Sequence, residues 1–180
     1  MKKLFFLAWL LISSLVICGQ NTKEANTKMD VFASKTGVII KFVDYSLPNL
    51  SLTYGAAETK VRKLISGGDI GYFYQVSYKG QYDTKTASIA YEDLLEVIKA
   101  IQTLRNELAA DQSSNPDYLE NKFVTDDGFQ LGYYVSSGKV KWYLVLEKYG
   151  SGNTVFINDV TTIETAFNGA KLKIETLKTS

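Results

Sequence analysis

The sequence predicts an α+β fold: an antiparallel β-sheet built from two similar β-rich halves, each closed by one amphipathic helix, with the helices packed on one face of the sheet. Three observations carry this. Short runs of β-branched and aromatic residues alternate between glycine-containing turns. Twice the apolar period lengthens from two to between three and four, once from Tyr91 and again near the end of the chain. Finally, GGDIGYFYQV from Gly67 returns as GFQLGYYVSS from Gly128.

The chain opens with Lys2 and Lys3 ahead of an apolar run from Leu4 to Leu11 that extends through Leu15 to Ile17, then turns polar at Gln20. This is the pattern of a secretory signal peptide over residues 1–19. The run falls short of the roughly 20 apolar residues a membrane span needs. Two processing routes compete. Gly19 fits cleavage before Gln20, whereas Leu15-Val16-Ile17-Cys18 resembles a bacterial lipobox whose cysteine is acylated, with Ile17 departing from the small residue usual before that cysteine. Simple secretion to the periplasm or the medium is preferred, with a lipid anchor to the envelope at Cys18 as the alternative. Without its leader the chain has no cysteine, so disulfides and thiolate chemistry are both excluded. Loss of Lys2 and Lys3 also takes 20 basic residues to 18 against 19 acidic ones, a balance that argues against nucleic acid as a partner.

Residues 20–28 read as a flexible polar tether and residues 29–180 as one domain: a first half over about 29–110, a linker over 111–117 and a second half over about 118–180. Val38 to Tyr45 is a strand broken by Leu47-Pro48-Asn49, and Lys60 to Ser66 is another. After the Gly67-Gly68-Asp69 turn, Ile70, Tyr72, Tyr74, Val76 and Tyr78 point one way and Gly71, Phe73, Gln75 and Ser77 the other. Asp83 to Ala90 is extended. Leu94, Val97, Ile98, Ile101, Leu104 and Leu108 then stripe a helix from Tyr91 to about Ala110. In the second half, Leu119 to Asp126 is a strand, and Phe129, Leu131, Tyr133 and Val135 line one face of the next. Val140, Trp142, Leu144 and Leu146 line one face of a third, and Thr154 to Ile157 is a fourth. Asn158 or Asp159 caps a final helix carrying Val160, Ile163, Phe167, Ala170, Ile174 and Leu177 on one stripe.

The two similar stretches align Gly67 with Gly128, Gly71 with Gly132 and Tyr72 with Tyr133, which reads as an internal duplication. Gly67 and Gly128 lie in turns where positive φ is expected. Gly71 and Gly132 lie inside strands, where a missing side chain marks a bulge or a close approach by another group.

Catalytic signals are few. The chain contains no histidine, which removes Ser-His-Asp and Cys-His sites and leaves zinc without its usual ligands. GGDIG and GSGN are not followed by the Lys-Ser/Thr of a phosphate loop. Asp126-Asp127-Gly128 between two strands is turn chemistry. Asp44, Asp69 and Glu147 are able to cooperate only if the fold joins them, so a carboxylate-dependent hydrolase is a distant alternative. No cofactor and no metal ligand set is predicted.

A surface remains. If the helices cover the face bearing Ile70, Tyr72, Tyr74, Leu131, Tyr133, Trp142 and Leu144, the other face displays Phe73, Gln75, Tyr134, Lys141, Tyr143, Val145 and Glu147. These seven residues are the candidate ligand- or partner-binding set, with a glycan or a protein as the partner. Two other occupants compete for the face: the segment around Val31 and Phe32, or a second copy of the chain in a homodimer. The expected function is a non-enzymatic binding module, the alternative a structural protein that dimerises through the same face.

A Lys-Lys leader, a Tyr-rich β half, a helix opening YEDLLEVIKAI (Tyr91–Ile101) and a second β half with its closing helix together resemble small secreted proteins of Bacteroidetes-type bacteria. That resemblance spans nearly the whole chain after the leader. It implies export and no particular activity. A paired sheet with helices on one side also resembles duplicated saddle-like folds of the TATA-binding type, in architecture alone.

Overall fold

The computed structural model describes residues 26–180. The leader, Cys18, the Gly19–Gln20 boundary and the tether as far as residue 25 lie outside the described residues. The elements follow in the order α1 (Lys28–Ala33), β1 (Ile40–Ser51), β2 (Ala56–Ser66), β3 (Asp69–Lys79), β4 (Thr84–Ala90), α2 (Tyr91–Ser113), β5 (Leu119–Val124), β6 (Gln130–Ser136), β7 (Lys139–Val145), β8 (Thr154–Ile157) and α3 (Val160–Thr179). The class is α+β, and each half is an antiparallel four-stranded unit followed by a helix.

The strands form two sheets, β1-β2-β3-β4 and β5-β6-β7-β8, where the sequence reading joined them into one. Among the described residues no strand ladder links the halves. A shared core does so instead. Tyr72, Tyr74 and Val76 of β3 bury with Leu131, Tyr133 and Val135 of β6, with Trp142 and Leu144 of β7, and with the stripes of both helices. Helix α2 touches β5 and β6 as well as β3 and β4, while α3 touches β1, β2 and β8. Each helix therefore bridges the halves, and neither sheet closes its apolar face with its own helix alone.

Alternation assigned the core-facing residues correctly except at Ile70, which is 51% exposed beside the Gly67-Gly68 turn. Leu47-Pro48-Asn49 does not end β1. The register slips between Leu47 and Leu50, and the Pro48 carbonyl freed there accepts a hydrogen bond from Thr59 Oγ1 at 2.8 Å. A proline is tolerated because β1 is an edge strand, where its missing N–H leaves no ladder partner wanting. Thr59 gives its proton to that carbonyl. The neighbouring Tyr74 hydroxyl is the buried side-chain polar atom among the described residues left without a hydrogen bond.

Two predicted boundaries move. The tether ends earlier, because Thr27 caps α1: its hydroxyl accepts from Asp30 N while Asp30 reaches back to Thr27 N. That Thr-x-x-Asp spacing is a capping box legible in the sequence. The linker begins later, because α2 continues through Asp111, whose carboxylate accepts a 2.5 Å hydrogen bond from the Tyr133 hydroxyl. Of the two expected candidates, Asp159 caps α3, accepting from Thr161 N at 2.9 Å.

The repeat is in element order, four strands then a helix, twice. GGDIGYFYQV falls on β3, the third strand of its half, and GFQLGYYVSS on β6, the second of its own. The paired glycines and tyrosines thus do not mark equivalent positions. Both strands are central in their sheets and both follow a tight turn, so the same demands account for the likeness: glycine at positive φ in the turn (61° at Gly67, 88° at Gly128) and tyrosine toward the core.

Candidate functional site

The outer face of the first sheet begins with Phe73, which the sequence reading placed in solvent and which is 4% exposed. Helix α1 covers it. Met29, Phe32 and Ala33 settle on Leu64, Phe73 and Ala90, with the Phe32 and Phe73 rings edge-on at 6.4 Å. The segment around Val31 and Phe32 is thus the occupant here, Phe32 facing in and Val31 out. Gly71 explains the fit, since a Cβ there would lie 3.2 Å from the Phe32 ring.

Beyond α1 the same face turns polar. Gln75 is also buried, and its Nε2 donates to Ser88 Oγ at 2.8 Å. The Ser77 and Thr86 hydroxyls pair at 2.9 Å. Arg62 donates from Nε and Nη2 to the two carboxylate oxygens of Asp44 at 2.7 and 2.8 Å, with Lys60 at 2.8 Å from the second. The Arg62 hydrogen bonds, aided by Lys60 and opposed by burial, hold the Asp44 carboxyl down at about 2 from an ordinary 3.8. A lowered folded value means stabilisation present above about pH 4 and lost as pH falls through about 2. Asp44→Asn is expected to flatten the acid limb of a stability–pH curve in that window, measured by urea unfolding. An unchanged limb would mean that the pair adds nothing.

At the seam, the second half grips the first through two carboxylates. Glu147 Oε1 accepts from Thr86 N at 3.1 Å, and its other oxygen lies 3.2 Å from Lys85 Nζ. Asp127 Oδ2 accepts from Lys28 N at 2.9 Å, so the Asp-Asp-Gly turn holds the start of α1. Burial, more than the neighbouring Asp93 and Asp126, pushes the Asp127 carboxyl above its ordinary value. Asp44, Asp69 and Glu147 do not share a partner: Asp69 pairs with Lys35, and the other two are held as described.

The outer face of the second sheet carries Tyr134, Lys141, Tyr143 and Val145, as alternation requires, in the register Tyr134 opposite Lys141, Gly132 opposite Tyr143 and Gln130 opposite Val145. Tyr143 is not displayed; it is 5% exposed. It stands beside Phe156 of β8, and its hydroxyl crosses β6 to donate to Glu120 of β5. Gly132 lies directly opposite it on the strand that is crossed. The hydrogen bond from Tyr143 lowers the Glu120 carboxyl, and burial raises the Tyr143 phenol.

Two residues that the sequence reading passed over complete this surface. Tyr118 is 61% exposed and stacks on Tyr134 with centroids 6.0 Å apart and planes 25° from parallel. Phe156 is 37% exposed and meets Tyr134 edge-on at 6.5 Å. Phe156 was within reach of the alternation, since Val155 and Ile157 are core; Tyr118 precedes its strand and gave no such signal. The seven candidates thus divide among three places: Phe73 under α1, Gln75 and Glu147 at the seam, and Tyr134, Lys141, Tyr143 and Val145 on the second sheet. Among the described residues no helix is long and apolar enough to cross a membrane. Set against family models, curated proteins and solved structures, the chain matches none.

Proposed function

We propose that the protein is an exported, non-enzymatic binding module that holds a glycan or protein partner against the outer face of its second sheet. The observation that carries this is the stacked pair Tyr118–Tyr134 with Phe156 at its edge, an aromatic surface open to solvent on a rigid antiparallel scaffold. Aromatic side chains offer large contact area at small entropic cost, and a solvent-facing group of them is the kind of surface that binds. The face is a better candidate than the adjoining β8 edge, because the Phe156 carbonyl already accepts a 2.7 Å hydrogen bond from Thr53 N. Export rests on the Lys2-Lys3 leader.

The test replaces Tyr118, Tyr134 and Phe156 together by alanine and compares binding on a glycan array and in a pull-down from the producing cell's envelope. Binding is expected to vanish while the variant still folds with a melting temperature lower by roughly 5–10 °C, since Tyr118 is 61% exposed and the half-buried Tyr134 and Phe156 lose about 1 kcal/mol each. A folded variant that still binds would sink the reading. Sedimentation on the same samples separates the alternative: a dimer that the triple substitution turns into a monomer assigns the face to self-association.

A further inference from the structure

We propose that the cavity at the seam between the halves, on the outer side of the first sheet, is a second binding site, and that it takes an uncharged polyhydroxylated ligand of one or two sugar rings. It is separate from the aromatic face of the second sheet and does not depend on it. The cavity measures about 500 Å³ and is walled by the first sheet, α1, the β5–β6 turn and the segment after β7. Small-ligand sites span about 300–1,000 Å³.

Its polar wall is built and incompletely used. Gln75 is 4% exposed, and its amide nitrogen donates to Ser88 Oγ and, at 3.5 Å, to Met29 Sδ. Its amide oxygen accepts no hydrogen bond among the described residues. That oxygen is not one of the sealed unpaired atoms, so it keeps some exposure, and Gln75 is a residue of the cavity wall. A buried amide oxygen calls for a donor. Beside it, Ser88 accepts from Gln75 and keeps its own proton free, and Arg62 Nη1 remains after Nε and Nη2 have gone to Asp44. One acceptor and two donors on the wall of one cavity match adjacent hydroxyl groups, each of which both donates and accepts.

Charge and apolar surface narrow the class. Arg62 is paired with Asp44 and Glu147 with Lys85, and with Asp30, Asp127 and Lys148 the lining carries three acidic and two basic side chains, so an ion of either sign meets like charge there. Phe129, 3% exposed, lies below, and Tyr149, 58% exposed, stands at the rim, supplying surfaces for the C–H faces of a ring.

The experiment is a ¹⁵N NMR titration of the protein with N-acetylglucosamine, maltose and cellobiose, with glucose 6-phosphate and an Ala-Gly hexapeptide as contrasts. A neutral sugar is expected to shift the Gln75 side-chain amide and the backbone amides of Thr86, Ser88 and Tyr149 in a saturable way. Gln75→Met is expected to weaken binding by roughly tenfold or more, the loss of one well-placed hydrogen bond. Tyr149→Ala, an exposed change that leaves the fold alone, should weaken it several-fold and carries the test if Gln75→Met does not fold. Response to the phosphate or the peptide alone, no response to any neutral sugar, or unchanged affinity in the folded variants overturns the proposal.

Discussion

Phe167→Ala lowers the unfolding midpoint of the whole domain by roughly 6–20 °C, in a single transition. Phe167 sits on α3, in the second half, and is fully buried. Its ring meets Tyr74 of β3 edge-on at 5.1 Å and lies 5.9 Å from Phe129. Truncating a buried phenylalanine costs about 3–5 kcal/mol, from lost transfer energy and the cavity left behind. In a domain of this size each kcal/mol moves the midpoint by about 2–4 °C. The cost falls on both halves, because the tyrosine belongs to the first half and the helix to the second. Circular dichroism measures the midpoint, and hydrogen exchange of β3 and β6 amides tests the coupling. Loss of protection in β6 with β3 unchanged would show that the halves fold as separate units, contrary to their shared core.

Gly132→Ala destabilises by about 3 kcal/mol or more, whereas Gly169→Ala stabilises by up to about 1 kcal/mol. On its own, alanine for glycine at an ordinary φ favours folding by about 0.4–1 kcal/mol through the unfolded chain. At Gly132 the clash decides the sign. A Cβ there would lie 2.5 Å from the Asn121 carbonyl oxygen and 2.9 Å from Lys122 Cα, so a backbone must move and the β5–β6 ladder must open. Gly169 is exposed on α3 with nothing within 4 Å of the added carbon, so only helix propensity speaks. Urea unfolding of the two variants side by side settles the comparison. A stable Gly132→Ala protein would mean that β5 has slack enough to move away from the added carbon.

Where a residue's role follows from its neighbours in the chain, the sequence by itself determined it. Alternation in β3, β6 and β7 named the core-facing tyrosines, leucines and Trp142. The three-and-four spacing named the stripes of α2 and α3, and narrowed the cap of α3 to Asn158 or Asp159, of which Asp159 caps it. These are local periodicities and local hydrogen bonds, and nothing distant overrode them. Alternation also placed Phe73 and Tyr143 correctly, on the face away from α2 and α3.

Whether that face was open was decided only by the tertiary structure, because burial depends on what arrives from elsewhere. Phe73 is covered by a six-residue helix from the N-terminal side, and Tyr143 is tied down by a carboxylate two strands away. The same holds for the division into two sheets, for the helices that bridge the halves, and for the meeting of Gln75 with Glu147 at a cavity. Each joins residues far apart in the chain, and no periodicity carries a partner's address. The repeated glycine and tyrosine pattern shows the limit from the other side: two central strands under the same physical demands came to look alike at positions the topology does not equate.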